Sequence, residues 1–141
     1  MKKLLLIASA LLLCFGATQA HAFRNATPDR TIEREGLYGA TVFESKYKIQ
    51  ILIQGREIHS LKQLHAVVAD GLRLPNTYGA NFDALYDVLT DPSAVTKNWD
   101  ITIIGGKNLY ENLGEQKTQA LIDTLNDAQE QNRMNTFMFW M

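Results

Sequence analysis

Asp83 and Asp87 stand four residues apart in a stretch that reads as a tight loop feeding a short helix. That spacing puts both carboxylates on one helical face, where like charges cost a helix about 0.2–0.5 kcal/mol. One use for such a pair is general acid–base catalysis, but that chemistry wants two different environments around a cleft. Two carboxylates one turn apart on an exposed face share one environment. The other use is electrostatic: a negative surface that meets something positive. Asp83 has a local reason to be acidic, because the first turn of a helix favours negative charge. Asp87 lies beyond that turn. A plain solvated face explains the spacing of the pair alone about as well.

A second acidic row tips the balance. Asp123, Asp127 and Glu130 follow at i, i+4 and i+7 on the outer side of a later helix. If the two helices pack side by side, their carboxylates form one negative patch. Tyr78 and Tyr86 would add rigid aromatic contact area. Such a surface imitates the phosphates that a nucleic-acid enzyme binds.

Other chemistries have little to stand on. His59 and His65 are six residues apart, which is not same-face ligand spacing on a helix, so a zinc site is not expected. No serine sits in a nucleophile elbow. Gly105, Gly106, Lys107 and Asn108 follow a strand and invite comparison with a phosphate loop. Position 101 is isoleucine where that motif needs glycine, and Asn108 replaces the hydroxyl that would hold magnesium. A turn after a strand is the better reading. We expect no enzyme, no cofactor and no metal.

The elements that must carry these residues follow from hydrophobic spacing. Residues 48–54 alternate, with Ile49, Ile51 and Ile53 on one face and Leu52 on the other, which predicts a strand covered at least partly on both sides. Ser60 and Gln63 form a capping box that opens a helix bearing Leu61, Leu64, Val68 and Leu72. Pro75 prevents its continuation. Asn81 is an N-cap for the helix of Asp83 and Asp87, whose core face is Phe82, Leu85 and Leu89. A strand at 99–104, a helix at 115–130 with Leu121, Ile122, Leu125 and Ala128 inside, and a strand at 135–140 complete the order β-α-α-β-α-β. Helical crossovers between strands favour a parallel sheet. The expected class is α/β, with a small three-stranded parallel sheet and helices packed around it. Residues 23–47 mix charges around Pro28, Gly36 and Gly39 and read as a solvated arm or an extra edge element, with a short strand available at 40–43.

The first residues read as a leader. Lys2 and Lys3 are basic, residues 4–15 are apolar, and Ala20 and Ala22 are the small residues a signal peptidase reads. We expect cleavage after Ala22, giving a signal peptide at 1–22, an arm at 23–47 and a domain at 48–141. The mature chain then has 119 residues (141 less 22), enough for one core. It loses Cys14 and can form no internal disulfide. Losing Lys2 and Lys3 leaves 12 basic side chains (14 less two) against 15 acidic ones, a net charge near −3. That balance disfavours nucleic acid as a direct ligand and suits a basic protein. The expected location is periplasmic or secreted, without membrane attachment after cleavage.

The stretch of residues 74–90 resembles the barstar family of ribonuclease inhibitors. The likeness is carried by Leu74, Pro75, Tyr78, Gly79, Asn81, Asp83, Ala84, Leu85, Asp87, Leu89 and Thr90. It extends more weakly over 48–141 through Gly55, Ile58, His59, Ser60, Leu64 and His65, and does not reach 23–47. The resemblance implies a protein that inhibits a barnase-type microbial ribonuclease by laying this loop and helix across the active site. It implies that Asp87 enters the enzyme's phosphate pocket and that Asp83 flanks it. Tyr78, Gly79 and Asn81 then shape the surface, Tyr86 and Thr90 adjoin it, and Asp127 is the matching acidic contact on the last helix. Thr77 and Tyr86 depart from the pattern, which commonly has tyrosine and tryptophan there. The expected partner is a basic extracellular or periplasmic ribonuclease, bound one to one by a monomer. The alternatives are an immunity protein against another toxin, or a barstar-like scaffold whose partner is not a ribonuclease.

Overall fold

Isoleucines at every second position make Lys48–Gln54 a strand with one fully apolar face, and the rest of the fold is organised around it. The computed structural model describes residues 30–141, so the expected leader at 1–22 and the first part of the arm lie outside the described residues. In chain order the elements are β1 (Ile32–Glu35), β2 (Thr41–Glu44), β3 (Lys48–Gln54), a 3-10 turn (Gly55–Glu57), α1 (Leu61–Leu72) and α2 (Phe82–Thr90). There follow β4 (Asn98–Ile104), α3 (Gly106–Leu113), α4 (Glu115–Gln131) and β5 (Thr136–Phe139).

The class is α/β as expected, but the sheet is larger and mixed. Its order is β1-β2-β3-β4-β5. β3, β4 and β5 run parallel, and β1 and β2 extend the sheet antiparallel along the free edge of β3. The expectation of a three-stranded parallel sheet is therefore corrected to five strands of mixed direction. β2 falls on the short strand available at 40–43, whereas β1 is short and charged, with Glu33, Arg34 and Glu35, and shows no apolar alternation. Charged residues on an outer strand also protect it from pairing with other chains.

The sheet face bearing Val42, Ile49, Ile51, Ile53, Trp99, Ile101, Ile103 and Phe137 is buried. Leu64, Val67, Val68 and Leu72 of α1, Leu85 and Leu89 of α2, Leu109 and Leu113 of α3, and Leu121, Leu125 and Ala128 of α4 complete the core. Trp99 is fixed at both ends: its indole N–H donates to Leu89 O at 3.0 Å, and its backbone N–H donates to Asn135 Oδ1 at 3.0 Å.

One helix was absent from the sequence reading. Gly105 adopts a left-handed φ of 68°, which turns the chain from β4 directly into α3. The glycine pair read as a turn is thus also a helix start, and Leu109 and Leu113 at i, i+4 are its inner face.

Candidate functional site

The loop between α1 and α2 is bounded by two non-glycine residues in left-handed backbone. Arg73 has φ 55° and Ala80 has φ 50°. Each such residue costs roughly 1–2 kcal/mol, so the surroundings must hold the loop in shape. At its start, the Leu74 N–H donates to Ala69 O at 2.8 Å, closing the end of α1. The Tyr78 N–H donates to Pro75 O at 3.0 Å, forming a turn around Asn76 and Thr77. At its end, Asn81 caps α2: its Oδ1 accepts from the Ala84 N–H at 2.7 Å. Gly79 lies against this cap, where a Cβ would sit 3.3 Å from both Ala84 Cβ and Asn81 Nδ2.

Tyr78 is tied down from beneath. Its hydroxyl lies 2.7 Å from Nδ1 of His65, a buried residue of α1. The His65 ring also packs on Tyr78 and Phe82, with both centroid distances 5.8 Å. Burial disfavours charge on either group: the His65 imidazole is held below its ordinary pKa, and the Tyr78 hydroxyl is pushed up to about 12. A neutral histidine and a protonated tyrosine therefore join the loop to α1. The sequence reading weighed His65 only as a zinc ligand and as part of the family likeness. Its place in the apolar spacing of α1, next to buried Leu64, is the signal of this inner role.

Ser60 caps α1 as expected, accepting from the Gln63 N–H at 3.2 Å. The returning bond differs in detail: Gln63 Oε1 accepts from the N–H of His59, at 2.7 Å, rather than from Ser60.

The acidic rows come together. α2 packs against α4, burying Leu85 and Leu89 of one helix and Leu121, Leu125 and Ala128 of the other. The opposite sides carry Asp83, Asp87, Asp123, Asp127 and Glu130, all exposed. Among the described residues, no Lys, Arg or His nitrogen lies within 4.0 Å of any of these five carboxylates. Asp123 accepts from Gln119 Nε2 at 2.9 Å. Tyr86 is half-buried, packed against the core. The Thr90 hydroxyl donates to Tyr86 O at 2.8 Å, so this residue closes α2 from within. Beyond Thr90 a cleft of about 270 Å³ opens between the ends of α2 and α4, lined by Asp91, Lys97, Asn132 and Asn135 among others. Hydrogen bonds from the Ser93 hydroxyl and N–H hold the Asp91 carboxyl below the usual range.

The loop presents shape, the two helices present unneutralised negative charge, and no cluster of three or more His, Cys, Asp or Glu side chains suited to a metal occurs among the described residues.

Comparison with known proteins follows the same lines. A protein of Bacillus subtilis (strain 168) named "Putative ribonuclease inhibitor YrdF" is 44% identical over 41 residues, which are 29% of this chain and 45% of that protein. The match thus spans a little under half of that relative's length. A family model described as Barstar (barnase inhibitor) matches residues 49–141, well over half of the sequence and all of the loop, α2 and α4. The chain belongs to the barstar family.

Proposed function

We propose that this chain is an exported inhibitor of a barnase-type microbial ribonuclease and acts by occlusion, without chemistry of its own. The observation that carries this reading is the pairing of α2 and α4, which gathers five exposed carboxylates, none in an ion pair within 4.0 Å among the described residues. A ribonuclease must hold phosphate with cations, so its active site is the natural complement of such a surface. Family membership and the named relative support a ribonuclease as the partner class.

In this reading Asp87 enters the phosphate pocket and Asp83 flanks it. Asp127 meets the rim of the enzyme from α4. Tyr78, Gly79 and Asn81 set the shape of the loop, and Tyr86 and Thr90 continue the surface along α2. Export rests on the basic and apolar leader and on Ala20 and Ala22. Outside the cytoplasm such a protein would meet a nuclease in the periplasm, including one delivered by a competitor. It would act as a monomer in a one-to-one complex.

The second reading, a barstar-like scaffold for another toxin or for a protein that is not a ribonuclease, is favoured by Thr77. It is exposed at the tip of the loop and offers no aromatic face. Titrating a barnase-type ribonuclease with the mature chain separates the two. Stoichiometric loss of RNA cleavage supports the first, and full retained activity supports the second.

A further inference from the structure

The two added strands reach the binding loop through a small set of charged side chains. Register places Arg34 beside Val42, Ile32 beside Glu44 and Glu44 beside Ile49, so Arg34 and Glu44 stand on the helix-covered face of the sheet. Arg34 Nη1 donates to Asp70 Oδ2 at 3.1 Å, and its Nη2 donates to the carbonyls of Asp70 at 2.7 Å and Gly71 at 3.3 Å. These are groups at the C-terminal end of α1, immediately before the loop.

Glu44 divides its carboxylate between two cations. Arg73 Nη2 donates to Oε2 at 2.9 Å, and Lys97 Nζ donates to Oε1 at 2.7 Å. Lys97 also donates to Ser45 O at 2.8 Å. Arg73 is the left-handed residue that opens the binding loop. Lys97 lines the cleft just past Thr90. The two cations therefore precede and follow α2 in the chain and meet at one carboxylate. The Lys97 ammonium beside Glu44 holds its carboxyl below the ordinary range, so Glu44 stays charged at neutral pH. β1 and β2 both lie before residue 49, outside the matched family segment.

We propose that Glu44 is a positioning residue for the binding loop: holding Arg73 and Lys97, it fixes the loop's first residue and masks the two cations that precede and follow α2 in the chain. The part concerning a cationic partner rests on the function proposed above. The part concerning the loop does not.

Two measurements on the full chain test it separately. The first needs no partner. In Glu44→Gln, exchange of the Leu74 amide should quicken about tenfold, while that of Ile101 in β4 stays as it was. Arg73→Met breaks the same contact from its exposed side and should give the same result at Leu74. Unchanged exchange at Leu74 in both variants overturns the positioning role.

The second uses a barnase-type ribonuclease in stopped flow. Glu44→Gln should associate about three- to tenfold more slowly, because two cations are unmasked. Adding Arg73→Met and Lys97→Met to that variant should restore the association rate without restoring amide protection. A merely structural role would not allow that recovery. An unchanged rate in Glu44→Gln, or no recovery in the triple variant, overturns the masking role. If the native chain fails to bind the ribonuclease, the partner reading falls, and amide exchange alone decides for or against positioning.

Discussion

The Tyr78 hydroxyl and His65 Nδ1 stand 2.7 Å apart and join the loop between α1 and α2 to the buried side of α1. The tyrosine most visible in the loop is thus half turned inward. Its bonds to His65 and to Pro75 O hold the loop in shape just before Gly79 and Asn81.

Removing that hydroxyl should therefore act on stability first. Tyr78→Phe leaves a buried imidazole without its partner and should cost about 0.5–1.5 kcal/mol. Urea unfolding at neutral pH measures it. A variant as stable as the native chain would mean that the bond contributes nothing net.

The same pair sets a pH dependence. His65 has its folded pKa held below its ordinary 6.5 by burial, so the unfolded chain binds more protons in that range. This contribution to stability is complete above about pH 6.5 and declines as pH falls below it. His65→Gln should flatten the change in unfolding midpoint between about pH 7.5 and 5.5 relative to the native chain. An equal slope in both proteins would assign the effect elsewhere.

Asn81 should matter as a cap before it matters as a contact. Asn81→Ala loses the bond to the Ala84 N–H and should destabilise by about 1 kcal/mol, whereas Asn81→Gly should cost a few tenths. Thermal unfolding of the two variants side by side checks the ranking.

Much of the fold was legible because it follows from spacing. The alternating isoleucines of β3, the Ser60 and Asn81 caps and the apolar face of α4 each express one local rule, and the structure realises each of them. α3 was missed because its amphipathic pattern is only eight residues long and begins with Gly106, directly after the N-cap Gly105. β2 lies on the short strand available at 40–43, but β1 was hidden for another reason. The strand character of β1 comes from pairing with β2 and from Arg34 reaching Asp70, far along the chain. The acidic surface was legible as two rows, but their union depends on α2 packing against α4, which spacing alone does not dictate. The inward turn of Tyr78 had a faint signal only, a histidine on the apolar face of α1.

The two acidic rows should contribute unequally to binding. Asp127 is exposed on α4 and would sit at the rim, where an ion pair is worth about 0.2–1 kcal/mol. Asp127→Ala should weaken a ribonuclease complex by that amount and chiefly slow association at low salt. Calorimetric titration at two salt concentrations measures both effects.

In the proposed complex Asp87 is the group that fills the enzyme's phosphate pocket. The most direct test of that role is inhibition of a barnase-type ribonuclease by the native chain and by Asp87→Ala at equal concentrations. The native chain should inhibit one to one, and the variant should lose about 3–5 kcal/mol of binding, since the enzyme's cations would be left buried without a partner. Equal inhibition by both proteins, or none by the native chain, would contradict it.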